Sequence, residues 1–158
     1  MRRLRYLLYI LLVIPVLMVS HACRKEPAED KVRKVISNVQ RSAEEKKIMS
    51  VLENISRTYQ DPQGNDYDGI KGLLAFYFFR HQKMAVFIPN IDITISGPSA
   101  RAVFQAVLTG KGTGEATTSA VLPESLGAYN FEVQFRKEED AWKVTSAKWE
   151  RVGEGAGQ

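Results

Sequence analysis

The chain has 158 residues with 22 basic and 18 acidic side chains, one cysteine and two histidines. Three of the basic residues and none of the acidic ones fall within positions 1–22, so the rest of the chain is close to neutral. This balance excludes a basic patch of the kind that nucleic acid requires. One of the two histidines, His21, also lies in that first segment, which leaves no motif of several histidine ligands. The glycine-rich residues 110–114 lack the order of a phosphate-binding loop, so we expect neither a metal nor a cofactor.

The first 23 residues have the pattern of a signal peptide. Arg2, Arg3 and Arg5 form a basic start, and an apolar run of 13 residues follows at positions 7–19. A membrane-spanning helix takes about 20 apolar residues, so this run is too short to span comfortably. Ser20-His21-Ala22-Cys23 resembles the lipobox of bacterial lipoproteins. In that family the cysteine receives a diacylglycerol, the peptide is cut before it, and the new N-terminus is acylated, for example with palmitate.

Two alternatives to lipidation stay open. Ser20-x-Ala22 also fits the cleavage site of an ordinary secretion signal, and the segment can serve as an uncleaved anchor. The lipobox favours Leu where Ser20 stands. Lipidation nevertheless accounts best for Cys23, because a single cysteine cannot form an internal disulfide and a free thiol is a liability in an oxidising compartment. With Arg24 after the cysteine, the resemblance implies an anchor in the inner leaflet of the outer membrane, facing the periplasm.

The chain divides into four parts on this reading. We expect a signal peptide at 1–22, a lipidated cysteine with a polar tether at 23–29, one folded domain at 30–152 and a disordered tail at 153–158. The folded part is long enough for one domain with a single core.

Helical spacing of apolar residues begins near Glu29. A first stripe is followed, after a slip of one position, by a second: Val32, Val35, Ile36, Val39 and Ala43, then Ile48, Val51, Leu52, Ile55 and Tyr59. The pattern predicts two helices, or one kinked helix, with a break near residues 44–47. A third helix is predicted to begin at Asp66 or Asp68 and to end at Arg80. Because Phe76 and Phe79 extend its apolar surface beyond one face, we expect it to be mostly buried.

After His81 the period changes to two, which is typical of strands. A long strand is predicted through residues 84–95, with a β-bulge at Pro89-Asn90 where the parity shifts. A hairpin turn at residues 97–99 leads to a strand through 102–108, and residues 110–126 are predicted as a loop. One face of the next strand, formed by Tyr129, Phe131, Val133 and Phe135, is expected to pack on the third helix. Trp142 and Trp149 lie on the last strand, and their odd separation predicts opposite faces.

Three helices followed by four main antiparallel strands define an α+β architecture. This order, together with Ile55-Ser56-x-x-Tyr59-x-Asp61-x-x-Gly64 and Ala141-Trp142-Lys143-Val144-Thr145-Ser146-Ala147, resembles the nuclear transport factor 2-like superfamily, which includes SnoaL-like and ketosteroid-isomerase-like domains. The resemblance implies a cone-shaped, cystatin-like fold in which a bent sheet curls around the helices and leaves one end open. It also implies a short edge strand at residues 57–60.

An open cone is a natural ligand pocket, since pockets are concave and mainly apolar. The candidate pocket residues are Tyr59, Asp61, Tyr67, Tyr77 and Trp142. A ketosteroid-isomerase-like enzyme needs an acidic base and a tyrosine-centred oxyanion hole, and no such set is identified here. Asp61 lies in a Pro/Gly turn, where it is expected to bond its own backbone.

The sequence therefore favours a non-catalytic domain that binds a protein partner or an apolar small ligand and is held at the membrane by the lipid on Cys23. A partner protein or a second copy of the chain is expected on the face of the sheet. The alternatives are a small-molecule isomerase or cyclase-like enzyme that uses the pocket, and a structural accessory protein of the envelope.

Overall fold

The computed structural model describes residues 26–112 and 124–153. The predicted signal peptide, Cys23, the middle of the predicted loop and the last five residues lie outside the described residues. Within them, three helices precede five antiparallel strands: α1 (Ala28–Glu44), α2 (Ile48–Leu52), α3 (Tyr67–Arg80), β1 (His81–Phe87), β2 (Ile91–Ser96), β3 (Ser99–Gly112), β4 (Glu124–Glu138) and β5 (Ala141–Arg151). Among these helices, none has both the length and the apolar character needed to cross a membrane.

The break between α1 and α2 falls where the sequence predicts it. The N–H of Lys47 donates to the Ser42 carbonyl at 2.8 Å, and the N–H of Lys46 donates to the Ala43 carbonyl at 3.0 Å. Lys46 adopts a left-handed conformation with φ of 57°. These two bonds, together with the left-handed conformation of Lys46, form a Schellman motif, which ends the helix.

The second helical stripe ends earlier than predicted. Ile55 and Tyr59 are buried, but they lie beyond α2, in a segment that runs beside β5. The Ser56 N–H donates to the Val144 carbonyl at 2.8 Å, and the Gln60 N–H donates to the Thr145 carbonyl at 3.1 Å. Ile55 forms an isolated bridge with Val144, and Gln60 forms one with Asp66, in place of the edge strand that the resemblance implied.

The third helix starts as predicted, but its predicted burial is wrong. The Asp66 carboxylate accepts from the Gly69 N–H at 2.8 Å and caps the helix. Ile70 and Phe78 are its buried residues, whereas Phe79 is 86% exposed and Phe76 is 53% exposed. The helix packs mainly against α2 and β1, so the aromatic residues on its other side have no described element against them.

The sheet has the order β1–β3–β4–β5, and β2 pairs with β3 along the same edge as β1. Phe87 pairs with Val107, and Ile91 pairs with Phe104. The chain from Phe87 to Ile91 therefore has one residue more than the facing part of β3 from Phe104 to Val107. The extra residue lies at the predicted bulge at Pro89-Asn90, but the single long strand that was predicted is divided here into β1 and β2. The predicted loop begins later than expected, because β3 continues to Gly112, which pairs with His81.

A second bulge lies in β5 and was not predicted. Gln134 pairs with Ser146 and Phe135 with Val144, which leaves Thr145 as the extra residue. The bulge reverses the alternation of side chains between Trp142 and Trp149. Both tryptophans therefore pack on the same core, and the prediction that they lie on opposite faces is wrong.

The core lies between α1 and the inner face of the sheet. Phe135 is 2% exposed and packs in one cluster with Val32 and Ile36 of α1. On β3, the small side chains of Ala100 and Ala102 are fully buried in the same cluster, which allows close packing against them. This arrangement leaves the larger residues of β3 and β4 to line a cavity.

Candidate ligand pocket

A cavity of about 340 Å³ lies between the helices and the inner face of the sheet. Its walls come from all three helices, from the segment after α2, and from β1, β3, β4 and β5. Representative lining residues are Ile36, Val39, Leu73, Leu74, Met84, Leu108, Phe131 and Trp149. The volume falls within the range of about 300–1,000 Å³ that is typical of small-molecule sites.

The lining is apolar almost throughout. Among the described residues that line the cavity, there is no Asp, Glu, His, Lys, Arg, Ser, Thr or Cys side chain. Gln40 is the one amide, and its Nε2 donates to the Val86 carbonyl at 2.7 Å. The Val86 N–H in turn donates to the Glu44 carboxylate at 2.9 Å, so α1 satisfies both backbone groups at this point of the sheet edge.

Tyr59 is the buried polar group of the pocket wall. It is 2% exposed, and its hydroxyl donates to Asp61 Oδ2 at 3.0 Å. Burial raises the pKa of Tyr59 well above its ordinary value, and the bond to Asp61 and the charge of that carboxylate raise it further. The phenol is therefore neutral at physiological pH, and its proton is already committed to Asp61.

Asp61 organises the turn in which it lies, as its sequence context predicted. Its Oδ1 accepts from the N–H of Gln63 at 3.0 Å and from the N–H of Asn65 at 2.9 Å. The Asn65 side-chain amide donates to both carboxylate oxygens. Asp61 does not line the cavity, and its link to the lining is the hydrogen bond from the Tyr59 hydroxyl.

Of the other three candidate residues, one lines the cavity and two lie outside its lining. Tyr77 lines the cavity and is 42% exposed, which puts it at the open end, where its ring stacks on His81. Tyr67 is outside the lining, and the Arg57 guanidinium lies 4.2 Å from its ring centroid. Trp142 is 5% exposed and also outside the lining. Whether any of these residues contacts a ligand stays a prediction.

Several lining residues were not identified as site residues from the sequence. Phe104 and Phe131 stack with ring centroids 5.3 Å apart, and the Trp149 ring lies 6.5 Å from that of Phe131. The alternating aromatic stripe of β4 was visible in the sequence, but it was interpreted as packed core. Trp149 was missed because the bulge at Thr145 turns it inward.

The outer face of the sheet, where a partner or a second copy was expected, is polar. Arg101 Nε lies 2.7 Å from Glu132 Oε1 across β3 and β4, and the Lys148 ammonium lies 2.7 Å from the Glu150 carboxylate. These pairs balance their charges within the chain, and partner binding at this face stays a prediction. In residues 26–112 and 124–153, no three His, Cys, Asp or Glu side chains are grouped to hold a metal ion.

A bent antiparallel sheet packed on three helices around an apolar cavity defines an α+β cone. By sequence, neither a protein-family model nor a curated protein matches this chain. Among solved structures, an NTF2-like protein with a cystatin-like fold from Novosphingobium aromaticivorans is similar over 92% of this chain and 90% of its own length, with a TM-score of 0.65 and 14% identity.

Two further solved structures are similar to the chain. An NTF2-like family protein from Streptomyces avermitilis, provisionally described as a dehydratase, matches 78% of this chain and 94% of its own length, with a TM-score of 0.64 and 10% identity. The Bdellovibrio bacteriovorus protein Bd1075 matches 78% of this chain with a TM-score of 0.64 and 8% identity, and this chain spans 41% of its length. These similarities establish the cystatin-like, NTF2-like fold that the sequence predicted.

Proposed function

We propose that the domain binds an apolar small molecule in the cavity and carries out no reaction on it. The observation that supports this proposal is the lining itself, in which no titratable side chain other than tyrosine faces the cavity. A charged ligand group would lose its hydration there without gaining a partner, which costs several kcal/mol or more. Each buried CH₂ of an apolar ligand contributes about 0.8 kcal/mol instead.

The ligand that fits this lining is an uncharged hydrophobe, aromatic or aliphatic. Aromatic rings on β3, β4 and β5 offer flat contacts on one side of the cavity. Aliphatic residues of α1 and α3 line the opposite side. Any polar group of the ligand belongs at the open end beside Tyr77, where water remains accessible. Membrane attachment through Cys23 is part of the proposal, because apolar molecules partition into the bilayer and would be captured close to it.

A test of binding uses Trp149, which lines the cavity, as the reporter. In a Trp142→Phe background the remaining tryptophan transfers energy to N-phenyl-1-naphthylamine, an uncharged aromatic probe, when the probe enters the cavity. Ala43→Phe places a ring into the cavity from α1 and is expected to weaken probe binding at least tenfold. Ala85→Phe adds the same ring at an exposed position on β1 and serves as the matched control. Absence of transfer in the parent, or equal binding by the Ala43 variant, would contradict the proposal.

An enzyme is the second candidate, and the Tyr59–Asp61 pair is the observation that favours it. A tyrosine bonded to a carboxylate beside an apolar cavity offers an acidic and a basic group, and a solved structure of the same fold is provisionally described as a dehydratase. Isomerase-type chemistry would exchange the α-hydrogen of a bound enone with solvent deuterium. Loss of such exchange in Asp61→Asn, with probe binding retained, would establish the enzyme. Absence of exchange in the parent favours the binding function.

A further inference from the structure

A second depression, with a volume of about 310 Å³, lies on the other side of α1 from the apolar cavity. Its lining differs in chemistry from that of the cavity. Lys31 and Lys34 line it from the first turns of α1 and Lys143 lines it from β5, beside Trp142, which is 5% exposed. The fold therefore brings Lys143 beside two lysines that precede it by more than one hundred residues.

The positive charge of this depression is only partly balanced. Among the described residues, neither Lys31 nor Lys34 forms an ion pair, and the Lys143 ammonium donates to the Glu53 carbonyl, which is uncharged. Asp140 is the one acidic residue in the lining. Its carboxylate lies 3.7 Å from the Lys137 ammonium, which offsets its charge.

Of the two amide side chains in the lining, Asn38 offers a donor to an anion, whereas the Asn54 amide nitrogen donates to the Ser50 carbonyl. The Asn38 side-chain oxygen accepts from Arg41 at 2.9 Å, so the amide nitrogen is the donor left for a ligand. Together with the three ammonium groups, it gives the depression hydrogen-bond donors from both α1 and β5. A tetrahedral oxyanion has enough acceptor oxygens for several donors at once, whereas a single carboxylate has two.

We propose that this depression binds a phosphoryl group, with Lys31, Lys34 and Lys143 as the cationic ligands and Trp142 beside the rest of the molecule. The position on α1 favours two sources of that group. Residues 23–27 extend over at most about 17 Å, so α1 begins within reach of lipid headgroups if Cys23 is acylated. The phosphodiester of an anionic lipid and a free phosphate share the chemistry that the depression recognises.

The test uses full-length Trp149→Phe protein in a neutral detergent, so that Trp142 is the one tryptophan that fluoresces. Inorganic phosphate is titrated with ionic strength held constant by chloride, and a saturable change in Trp142 emission is expected. In a second arm the protein is reconstituted into phosphatidylcholine vesicles with or without phosphatidylglycerol. A response in the first arm identifies free phosphate as sufficient, and a response confined to the second identifies the lipid headgroup.

Lys31→Ala/Lys34→Ala is expected to weaken either response at least tenfold. Lys71→Ala/Lys83→Ala removes two exposed lysines from α3 and β1 and serves as the matched control, which should respond like the parent. Absence of any response in both arms, or an unchanged response in the Lys31/Lys34 variant, would overturn the proposal. The outcome is independent of the apolar ligand, because Trp149 alone of the two tryptophans lines that cavity.

Discussion

The Tyr59–Asp61 pair connects the wall of the cavity to the turn that precedes α3. Asp61 accepts hydrogen bonds from two backbone N–H groups, from the Asn65 amide and from the Tyr59 hydroxyl. A turn aspartate that only bonds its backbone is expected to contribute about 1 kcal/mol. Here its loss would also leave the hydroxyl of a buried phenol without its acceptor, so the pair has a larger role in stability than turn chemistry alone implies.

Asp61→Ala is expected to lower the free energy of unfolding by about 2–3 kcal/mol, as the sum of a lost cap and an unsatisfied buried hydroxyl. The measurement is equilibrium unfolding in urea. Asp92→Ala, which removes an exposed carboxylate from β2, is the control and should change stability by less than about 0.5 kcal/mol. A loss for Asp61→Ala as small as that of the control would show that Tyr59 finds another acceptor.

The raised pKa of Tyr59 predicts a fall in stability at alkaline pH. The folded protein holds the phenolic proton more tightly than the unfolded chain, whose tyrosines titrate near about 10. The contribution of this proton to stability is thus complete below pH about 10 and is lost progressively as the pH rises above it. Tyr59→Phe should show a shallower decline of stability in this alkaline range. Equal slopes in the parent and the variant would mean that Tyr59 is not the group responsible.

At the scale of elements, the inner stripe of β4 lines the cavity along its length, but its residues differ in burial. Phe135 is 2% exposed within the core cluster, whereas Phe131 is partly buried and stacks on Phe104. Phe135→Ala is expected to cost about 3–5 kcal/mol, the range for a large aromatic removed from a packed core. Phe131→Ala should cost less, because its ring is only partly buried and so loses less contact area. Thermal unfolding of both variants tests the order, and a greater cost for Phe131 would contradict it.

Adjacent residues on α3 provide a second comparison. Phe78 is 6% exposed and Phe79 is 86% exposed, although the two side chains are identical. Phe78→Ala is expected to cost about 3–5 kcal/mol, and Phe79→Ala less than about 0.5 kcal/mol. Chemical denaturation of the two variants at matched concentration measures both values. A large loss for Phe79→Ala would show that another part of the molecule covers this residue.

Elements whose signals are local could be predicted from the sequence. The slip in the helical stripe located the break at residues 45–47, and the parity shift at Pro89-Asn90 located the first bulge. The bulge at Thr145 could not be predicted, because the extra residue is defined only by its pairing with Gln134 and Phe135. The exposure of Phe79 was missed for a similar reason, since burial depends on the elements that pack beside a helix and not on its own composition.

The candidate site was predictable to the same limited extent. Helical periodicity put Tyr59 and Tyr77 among the candidate residues, and both line the cavity. Trp142 was also named as a candidate pocket residue, but it lies outside the cavity lining, beside the lysine-lined depression. The lysines of that depression appear in the sequence as ordinary surface charges, because α1 and the start of β5 meet only in the fold.

At the scale of the whole molecule, α1 separates two environments of opposite chemistry. Ile36, Val39 and Ala43 face the apolar cavity, while Lys31, Lys34 and Asn38 face the depression. Helical geometry places these two sets of residues on different sides of α1. A helix that begins five residues after the predicted lipid attachment site would thus hold a cationic surface near the membrane and an apolar cavity behind it. The proposed anchor at Cys23 is therefore tested separately from the two binding proposals.

Cys23→Ser is expected to abolish membrane attachment while leaving the folded domain unchanged, because the core is built from residues after position 27. Detergent-phase partitioning and intact-mass measurement compare the two proteins, and the parent should carry a diacylglycerol and an acyl chain on Cys23. Three acyl chains exceed the single chain that gives only marginal membrane binding, so loss of the cysteine should move the protein from the membrane fraction or leave it unprocessed. Ser20→Leu introduces the residue that lipoboxes favour and should preserve or speed processing. An unmodified cysteine at the mature N-terminus of the parent would instead establish an ordinary secreted protein.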